Sequence, residues 1–400
     1  MQTTSSTDAR EEQHWTCPFC PLLCDDIVID TAAQTCPRLR DALTHFSDQD
    51  TNRCPEIDAQ ATEFSSALSA AAKILTQAKR PLFGGLATDI AGARALYELA
   101  ATHGAILDHL HGDALAAGTF AMQDRGAFFT TLSEIRSRAD LVIVFACDPS
   151  RRYPRFFERA VGLDAQVIHM GSEANNALLK GIDPFDILAL WSAQIETGRR
   201  HLSDELAALT KRIEAAQYTA FIYEPAALPQ PHAALAIEAL HRIVKAFNRT
   251  VRAGALALTG DDGALSVNQT MTWLSGFPLR TRVAYGEPLD HDAHRYCTES
   301  LLKHRHIDAL LWVSSFAPEA LPASLDDEMP VVVLGHAQTP TLKRKGPTVF
   351  IPVATPAMDH TAHLFRVDSS VVAPLNAARK TSLPGVAQVV VELTKQRRPS

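Results

Sequence analysis

The sequence predicts an α/β protein with two Rossmann-like, doubly wound units, and three observations support this fold class. A β-branched apolar run at residues 141–146 leads into a polar loop with Asp148 and Pro149, as a buried parallel strand does at its carboxyl end. A second run of the same design follows Asp308, so the pattern occurs twice as a weak internal repeat. Elsewhere, strand-like and helix-like segments alternate, which favours parallel sheets covered by helices.

Length, composition and charge exclude several classes of protein. The chain has 400 residues, 46% of them hydrophobic, which is enough for two or three domains. The net charge of -7 and the scattered lysines and arginines predict no nucleic-acid partner. No apolar stretch resembles a membrane span or a signal peptide, so we expect a cytoplasmic protein without a membrane partner. The G-x-S-x-G, H-E-x-x-H and Walker sequences of common hydrolases and nucleotide hydrolases are absent.

The N-terminal region is rich in cysteine. Cys17, Cys20 and Cys24 have C-x2-C-x3-C spacing, and Cys36 and Cys54 follow. Thiolates at this spacing can bind a soft metal ion or an iron–sulfur cluster, whereas a disulfide framework does not suit a reducing compartment. Zinc or another structural metal, and a segment that binds nothing, are the alternatives.

The first α/β unit begins after this region. Apolar residues at helical spacing predict a helix over 61–79, which Pro81 ends, and a strand over 81–86. Gly84 and Gly85 lie in this strand, and without a full G-x-G-x-x-G signature they favour a tight turn over a phosphate site. The next predicted elements are a helix over 91–103, strands over 105–107 and 165–170, and two helices within 184–210.

The second α/β unit contains a glycine-containing loop. A strand over 255–258 ends at this loop, where Gly260, Gly263 and Asn268 allow a ligand to approach the backbone. A helix starts at Thr270. The other predicted elements are a helix over 233–247, strands over 330–334 and 349–353, and an amphipathic helix over 384–395.

These patterns divide the chain into four segments. They are a disordered tail (1–16), a cysteine-rich segment of the iron–sulfur type (17–59), a first α/β unit (60–215), and a second α/β unit with a closing segment (216–400). The first unit carries a turn, Leu110-His111-Gly112, that the motifs below single out.

Sparse motifs occur in a fixed order along the chain, from about Cys17 to Leu393. The residues that carry them are Cys17, Cys20, Cys24, Asp25, Asp26, Ile27, His111, Gly112, Gln123, Gly126, Thr131, Leu132, Glu134, Arg136, Arg138, Ala139, Asp140, Pro149, Pro154, Arg155, Gly260, Gly263, Asn268, Trp273, Gly276, Pro278, Gly286, Pro288, Arg366 and Asp368. In this order the chain resembles the B subunit of formylmethanofuran dehydrogenases. That protein is similar to the catalytic subunit of formate dehydrogenases without its C-terminal pterin-binding barrel.

The resemblance implies two cofactor sites. One is a [4Fe-4S] cluster held by Cys17, Cys20 and Cys24 with a later cysteine, for which Cys36 matches best and Cys54 competes. The other is a bis-pterin site for molybdenum or tungsten. The residues implied for that cleft, here in vestigial form, are Gly112, Gly260, Gly263, Asn268 and Arg155.

The chain departs from the family pattern at the presumed metal. Leu110 stands where the family has the cysteine or selenocysteine ligand, and a leucine side chain has no lone pair to give. Tyr285 replaces an expected active-site arginine, and Asp261 replaces an asparagine. His111 remains from the active-site turn, either as a proton carrier or as a hydrogen-bonded loop histidine. We therefore expect the redox centre to be lost.

The expected function is that of a scaffold subunit in a bacterial formyltransferase/hydrolase complex. The resemblance implies amidohydrolase and formyltransferase partner subunits that act on a formyl-carrying, methylofuran-type coenzyme. The pathway implied is tetrahydromethanopterin-linked one-carbon metabolism, in which formaldehyde is oxidised to formate. Two alternatives are an active molybdenum or tungsten formylmethanofuran or formate dehydrogenase subunit, and an iron–sulfur electron-transfer subunit.

Some other polar residues have less specific interpretations. Asp148 and the arginines that follow lie at a strand's carboxyl end and can face a pterin phosphate, another subunit or solvent; the arginines are Arg151, Arg152 and Arg155. A zinc site at His109 and His111 has no identifiable third ligand. Cys147 and Cys297 have no partners at metal-binding spacing, so we expect buried thiols.

Overall fold

The computed structural model describes residues 14–29, 36–47, 52–197 and 203–396. The helices are α1 (Pro37–Leu43), α2 (Phe64–Gln77), α3 (Ile90–His103), α4 (Gly112–Arg125), α5 (Leu132–Arg138), α6 (Pro149–Arg152), α7 (Phe156–Ala160), α8 (Pro184–Thr197), α9 (Asp204–Ala215), α10 (Ala233–Phe247), α11 (Ala264–Ser275), α12 (Thr298–Lys303) and α13 (Val386–Gln396). Short 3-10 helices cover Pro225–Ala227 and Asp261–Gly263.

The strands form two sheets and a hairpin. They are β1 (Glu56–Ile57), β2 (Gln60–Ala61), β3 (Pro81–Ala87), β4 (Ile106–Leu107), β5 (Leu141–Phe145), β6 (Gln166–Met170), β7 (Thr219–Tyr223), β8 (Ala253–Ala257), β9 (Thr281–Arg282), β10 (Asp290–His291), β11 (Ala309–Ser314), β12 (Val331–His336), β13 (Thr348–Val353), β14 (Ala362–Phe365) and β15 (Val372–Leu375). The predicted elements are present, although the helix expected from Thr270 begins earlier, at Ala264.

The larger sheet combines strands from both ends of the chain. Its order is β10-β9-β4-β3-β11-β12-β13-β1-β2. The central strands β4, β3, β11, β12 and β13 are parallel, and the outer strands pair antiparallel. The central strands β3, β11, β12 and β13 are buried along their whole length, as a parallel sheet covered by helices requires.

The smaller sheet is parallel and has the order β6-β5-β7-β8. Because β5 pairs with β7, the predicted boundary between residues 215 and 216 lies inside this sheet, and that division into units 60–215 and 216–400 is wrong. Strand β3 likewise pairs with β11 across the same boundary. Local apolar patterns identify strands, but they do not specify which strands pair.

The predicted internal repeat has a structural counterpart at the start of β5 and β11. The Asp140 carboxylate accepts the N–H groups of Gln217 and Tyr218 at 2.8 and 3.0 Å, at the start of the neighbouring β7. Asp308 accepts the N–H groups of Lys79 and Arg80 at 2.8 and 2.9 Å, before β3. Each aspartate therefore satisfies two donors where a neighbouring strand begins.

The N-terminal segment is folded from within the predicted tail. Trp15 pairs with Ile27 as an isolated bridge, and its buried indole N–H lies 3.0 Å from the carbonyl oxygen of Ala357. The expected disorder over residues 1–16 is therefore wrong at its C-terminal end, while residues 1–13 lie outside the described part. At the other end, β1 and β2 extend the larger sheet, so the cysteine-rich segment continues into that sheet.

Helices and the N-terminal segment cover the sheets. Side chains from α2, α3, α11 and α13 pack with the larger sheet in one apolar core. Helices α8, α9 and α10 cover one face of the smaller sheet, and the cysteine-rich segment packs with α5 and α7 in another cluster that includes β5 and β7. No helix in the described part of the chain has the length and apolar character needed to cross a bilayer.

Candidate functional site

A cavity of about 240 Å³ lies beyond the ends of β4, β5, β7 and β8. Ligands of open α/β sheets bind at the carboxyl ends of the strands. Both sheets contribute to its lining, which consists of Leu110, His111, Asp113, Ala114, Arg152, Tyr153, Ala226, Gln230, Leu258, Thr259, Gly260 and Asp261. The predicted turn and the predicted glycine loop thus meet at one place.

Leu110 lies in the cavity wall on a tightly hydrogen-bonded turn. Its N–H donates to the carbonyl oxygen of Gly85 at 3.0 Å, and its side chain packs against two apolar clusters. A second hydrogen bond closes the turn: the N–H of Gly112 donates to the carbonyl oxygen of His109 at 2.8 Å. An aliphatic group therefore occupies the place where the family resemblance implies a metal ligand.

His109 is a buried, neutral histidine inside this turn. Its Nδ1 accepts the N–H of His111 at 3.0 Å, so the ring proton is on Nε2, which donates to the carbonyl oxygen of Asp262 at 3.2 Å. Burial lowers the pKa of His109 to about 3. Both ring nitrogens are occupied, so the arrangement does not fit a zinc site at His109 and His111.

His111 faces the cavity and is held by a carboxylate. Its Nε2 lies 2.8 Å from Oδ2 of Asp262, a residue in the left-handed region at φ 52°. Burial acts to raise the pKa of Asp262, but the hydrogen bond from His111 holds that pKa below its usual value. The geometry fits the hydrogen-bonded loop histidine, and the proton-carrier function stays a prediction.

A network of ion pairs centres on the buried carboxylate of Asp261, which two half-buried arginines contact. Its Oδ1 lies 2.9 Å from Nη2 of Arg38, and its Oδ2 lies 2.7 Å from Nη2 of Arg152. Arg152 also binds Glu224 through Nη1 at 2.7 Å. Burial and the Asp261 charge raise the pKa of Tyr153 far above its usual value, so its hydroxyl stays protonated and donates to Asp261 at 3.2 Å. The positive charges of the two guanidinium groups, Arg38 and Arg152, are therefore balanced by the two carboxylates, Asp261 and Glu224.

This network connects separate parts of the fold. Arg38 lies on α1 of the cysteine-rich segment, Arg152 on α6 after β5, and Glu224 after β7. Arg38 also donates to the carbonyl oxygen of Arg152 at 2.9 Å. A buried ion pair that loses one partner leaves a costly unpaired charge, so the members depend on one another.

Gly112 packs against a second buried ion pair. Arg280 binds Asp108 at 3.1 Å and Asp113 at 2.5 Å. A Cβ at Gly112 would lie 2.3 Å from Oδ1 of Asp108. The absence of a side chain at Gly112 therefore makes room for the carboxylate behind the turn.

The other residues predicted for the pterin cleft lie in different surroundings. Gly260 lines the cavity, whereas Gly263 packs directly against the backbone of Thr88. Asn268 accepts the N–H of Leu279 at 3.0 Å. Arg155 pairs with two carboxylates; its contacts are Asp26 at 2.7 and 2.6 Å and Glu158 at 3.0 Å. Gly260 is thus the member of this predicted set that lines the cavity.

Tyr285 does not lie at the site. The side chain is 64% exposed, and its hydroxyl donates to Glu98 on α3 at 2.5 Å. The expectation that Tyr285 marks a lost arginine near the metal is wrong, because this part of the chain runs along the outer edge of the larger sheet. The arginines that meet near the cavity are Arg38, Arg152 and Arg280.

Of the residues beside the cavity, sequence reasoning missed Arg38, Arg280 and Asp262. Arg280 and Asp108 are 172 positions apart, and no local pattern links them. The sequence contained one signal for cations at this place, because Asp261 stands where the family pattern has an asparagine. A new buried carboxylate requires nearby cations, and Arg38 and Arg152 supply them.

Four cysteines of the N-terminal segment share one buried cluster. Cys17, Cys20, Cys24 and Cys36 are all buried there, whereas Cys54 is exposed. Burial raises the pKa of Cys20 to about 12 and that of Cys24 to about 11, and burial together with the other three sulfurs raises the pKa of the Cys17 thiol well above its usual value. In the described ranges, no three His, Cys, Asp or Glu side chains are grouped closely enough to hold a single metal ion.

The remaining predicted residues have ordinary structural environments. Cys147 is buried as expected, but Cys297 is half-buried and accepts the N–H of Ser300 at 3.4 Å. The expectation that Cys297 is buried is therefore wrong, because it caps the start of α12 near the surface. Asp148 caps α6 by accepting the N–H of Ser150, and Arg151 is exposed.

Comparisons with known proteins agree with the motif-based resemblance. No protein-family model matches the chain. It is 26% identical over 343 residues to the B subunit of the formyltransferase/hydrolase complex Fhc of Methylorubrum extorquens, covering 81% of this chain and 91% of that protein. It is 24% identical over 397 residues to the B subunit of the tungsten-containing formylmethanofuran dehydrogenase 2 of Methanocaldococcus jannaschii, covering 88% and 90%. The corresponding protein of Methanococcus maripaludis is 24% identical over 401 residues, again covering 88% and 90%.

A solved structure confirms the mixed α/β fold with parallel sheets. A chain of the formyltransferase/hydrolase complex FhcABCD from Methylorubrum extorquens, crystallised with methylofuran, matches with a TM-score of 0.74. The match has 24% identity and covers 86% of this chain and 98% of that chain. The resemblance to this group of B subunits is therefore confirmed over most of the chain.

Proposed function

We propose that this chain is the B subunit of a formyltransferase/hydrolase complex and serves there as a scaffold without a working redox centre. Similarity in sequence and fold over most of the chain supports the subunit type. Fold alone does not define an activity, so the argument for lost redox chemistry depends on the residues at the cavity. We also propose that the smaller sheet and the parallel centre of the larger sheet are each a Rossmann-like unit of a formate dehydrogenase-like architecture.

The observation that carries the proposal of a lost redox centre is the Leu110 turn. Beside this turn, the charges of the Asp261 ion pairs neutralise one another. Molybdenum and tungsten sites need sulfur or another donor atom, and Leu110 has none. The nearby candidates are already engaged, His111 by Asp262 and Asp261 by Arg38 and Arg152. The donor set present does not fit a metal at this turn.

The space directly beside Leu110 is small. The cavity of about 240 Å³ is smaller than the roughly 300–1,000 Å³ typical of pockets for drug-sized ligands, and two pterin groups are larger than such ligands. A groove of about 710 Å³ between α4 and α10 shares Asp113 and Gln230 with the cavity. Leu110 does not line this groove, so the added space is not at the presumed metal position.

In the proposed complex, partner subunits carry out the chemistry. An amidohydrolase subunit and a formyltransferase subunit would move and hydrolyse a formyl group on a methylofuran-type coenzyme. This places the complex in tetrahydromethanopterin-linked oxidation of formaldehyde to formate. The chain itself contributes a folded body in which the ion pairs around Asp261 tie α1 of the cysteine-rich segment to the carboxyl ends of β5, β7 and β8.

Elemental analysis tests the loss of the metal site. We expect the purified complex to contain molybdenum and tungsten far below one atom per copy of this chain, even after growth with both metals. A Leu110→Cys variant should not gain either metal, because the ion-pair network still occupies the surroundings of the turn. Formyl transfer by the complex should be the same for both proteins.

The opposite result supports the second candidate function. Stoichiometric tungsten or molybdenum in the wild-type complex, with oxidation of formate or a formyl coenzyme by an artificial electron acceptor, would identify an active oxidoreductase. No residue at the cavity favours that outcome.

We also propose that the N-terminal segment holds a [4Fe-4S] cluster. Its four buried cysteines supply the thiolate set that such clusters use, and the apolar residues Trp15, Phe19 and Leu39 surround them. When bound, the cluster would supply one-electron transfer or a covalent cross-link between α1 and the preceding loop. Cys36 is the fourth ligand in this proposal because it is buried with the other three, whereas Cys54 is exposed.

Cysteine variants separate the two candidates for the fourth ligand. We expect Cys36→Ser to lose protein-bound iron and acid-labile sulfide, since it removes a thiolate from the buried set. Cys54→Ser is the matched control and should keep both. Anaerobic purification followed by iron, sulfide and visible-absorbance assays measures the difference. Zinc in place of iron, or retained iron in Cys36→Ser, contradicts the assignment, and a reducible cluster in the isolated chain favours the electron-transfer alternative.

A further inference from the structure

An arginine between α6 and α7 is bound to the end of the cysteine motif. Asp26 follows Cys24, the third cysteine of the motif, by two positions. Both carboxylate oxygens of Asp26 accept hydrogen bonds from Arg155, at 2.7 and 2.6 Å. Such a bidentate contact fixes the orientation of the two groups as well as their distance.

Arg155 is the buried member of this pair. Its side chain is 10% exposed, whereas those of Asp26 and Glu158 are 37% and 62% exposed. Glu158 on α7 accepts a hydrogen bond from Nε of Arg155 at 3.0 Å and so holds the guanidinium group from a second side. Arg155 therefore ties Asp26 to α7, and removing it would leave carboxylates without their main partner.

The cysteine motif is itself a closed loop. The N–H of Cys17 donates to the carbonyl oxygen of Cys24 at 2.9 Å, and the N–H of Leu23 donates to that of Cys20 at 3.1 Å. These backbone bonds fix the cysteines relative to one another, because both lie within the segment. Arg155, which is 129 positions from Asp26, adds an attachment between the Cys24 arm of the loop and the helices after β5.

The same ion pairs set the charge beside Cys24. A second arginine on α7, Arg159, lies 2.9 Å from Asp26. Burial raises the pKa of Cys24 to about 11, and the positive charges of Arg155 and Arg159 act against that rise. Both guanidinium groups are therefore within electrostatic range of the Cys24 sulfur.

We infer that Arg155 is a positioning residue for the proposed iron–sulfur cluster, where it holds the Cys24 arm in place and offsets negative charge beside that ligand. The inference rests on the cluster proposed above. The family resemblance implied a place for Arg155 in the pterin cleft, but its guanidinium group is engaged by Asp26 and Glu158. Removing a group that orients a metal ligand typically lowers metal affinity by about 10–100-fold.

The test uses the full-length chain, purified anaerobically, and first measures the loss of iron to a chelator. Arg155→Gln should release iron about tenfold faster than the wild type, because the Cys24 arm loses its bidentate anchor. Glu158→Gln is the matched control. It removes the other partner of Arg155 but leaves both bonds to Asp26, so iron should be released at the wild-type rate.

The reduction potential of the cluster separates positioning from a role in folding alone. Reduction adds negative charge, so losing a nearby cation lowers the potential and losing a nearby anion raises it. We expect Arg155→Gln to lower the potential and Asp26→Asn to raise it, although both variants break the same pair. Arg155→Lys keeps the charge and should restore the potential, but it should restore iron retention only in part, because lysine makes no bidentate contact.

Each outcome decides the inference. If the wild type holds a cluster and Arg155→Gln matches it in iron release and potential, the positioning role is overturned while the cluster stands. If Arg155→Gln and Asp26→Asn shift the potential in the same direction, the role is also overturned, because the effect is then structural. If the wild type binds no iron, the cluster proposal fails and the positioning role fails with it. Thermal melting verifies folding, and if Arg155→Gln does not fold, Arg155→Lys and Asp26→Asn provide the same comparison.

Discussion

Asp261→Ala is expected to lower the free energy of unfolding by about 3–5 kcal/mol, which is the usual effect of removing one partner of a buried ion pair. The Asp261 side chain is almost fully buried and lies within 2.9 Å of Arg38 and 2.7 Å of Arg152. Without it, two guanidinium groups remain with Glu224 and Asp262 as their nearby counter-charges. The link between α1 and α6 would weaken at the same time.

Urea unfolding, followed by fluorescence, measures this change. Asp261→Asn is the matched control, because it keeps the size and one of the two accepting oxygens but removes the charge and turns an amide NH2 toward a donor; it should fall between wild type and Asp261→Ala. A loss below about 1 kcal/mol in Asp261→Ala would mean that the network adds no more than an exposed ion pair. That result would falsify the structural role assigned to Asp261.

Gly263→Ala should be the most damaging glycine substitution near the cavity. Gly263 has φ of 74°, and a Cβ there would lie 2.1 Å from the carbonyl oxygen of Thr88. A left-handed backbone costs a non-glycine residue roughly 1–2 kcal/mol. The clash with main-chain atoms adds about 1–3 kcal/mol, because the backbone after β3 or the start of α11 must move.

Gly276→Ala separates these two contributions. Gly276 also has positive φ, at 80°, but no atom lies within 4 Å of its added Cβ. It should therefore show the backbone cost alone, and the difference between the two variants measures the close approach at Thr88. Equal losses in unfolding free energy would show that the structure tolerates the methyl group at position 263.

The sequence was a good guide to elements and a poor guide to their pairing. Residues 81–86 and 141–146 were recognised as strands because short apolar runs, β-branched in the second case, are local signals. Their assignment to sheets depended on partners far away in the chain, since β3 pairs with β11 and β5 pairs with β7. The predicted boundary at residue 215 was therefore placed inside a sheet.

The site residues show the same difference between what is local in the sequence and what depends on the fold. Leu110 and the glycine loop were found from motif order, and the structure brings Leu110, His111 and Gly260 together. Tyr285 was placed at the site by motif alone and is instead on the surface. Motif order records position along the chain, whereas proximity depends on the path the chain takes between motifs.

By itself, the sequence determined the strands and helices, the cysteine spacing, and the lack of a metal-binding atom at position 110, because each is set by residues adjacent in the chain. Only the tertiary structure decided that Asp261 is neutralised by Arg38 and Arg152 and that Arg280 supports the turn through Asp108. Arg152 and Asp261 are 109 positions apart. Charges so distant in sequence meet only after the chain between them has folded, and burial then requires each to have a partner.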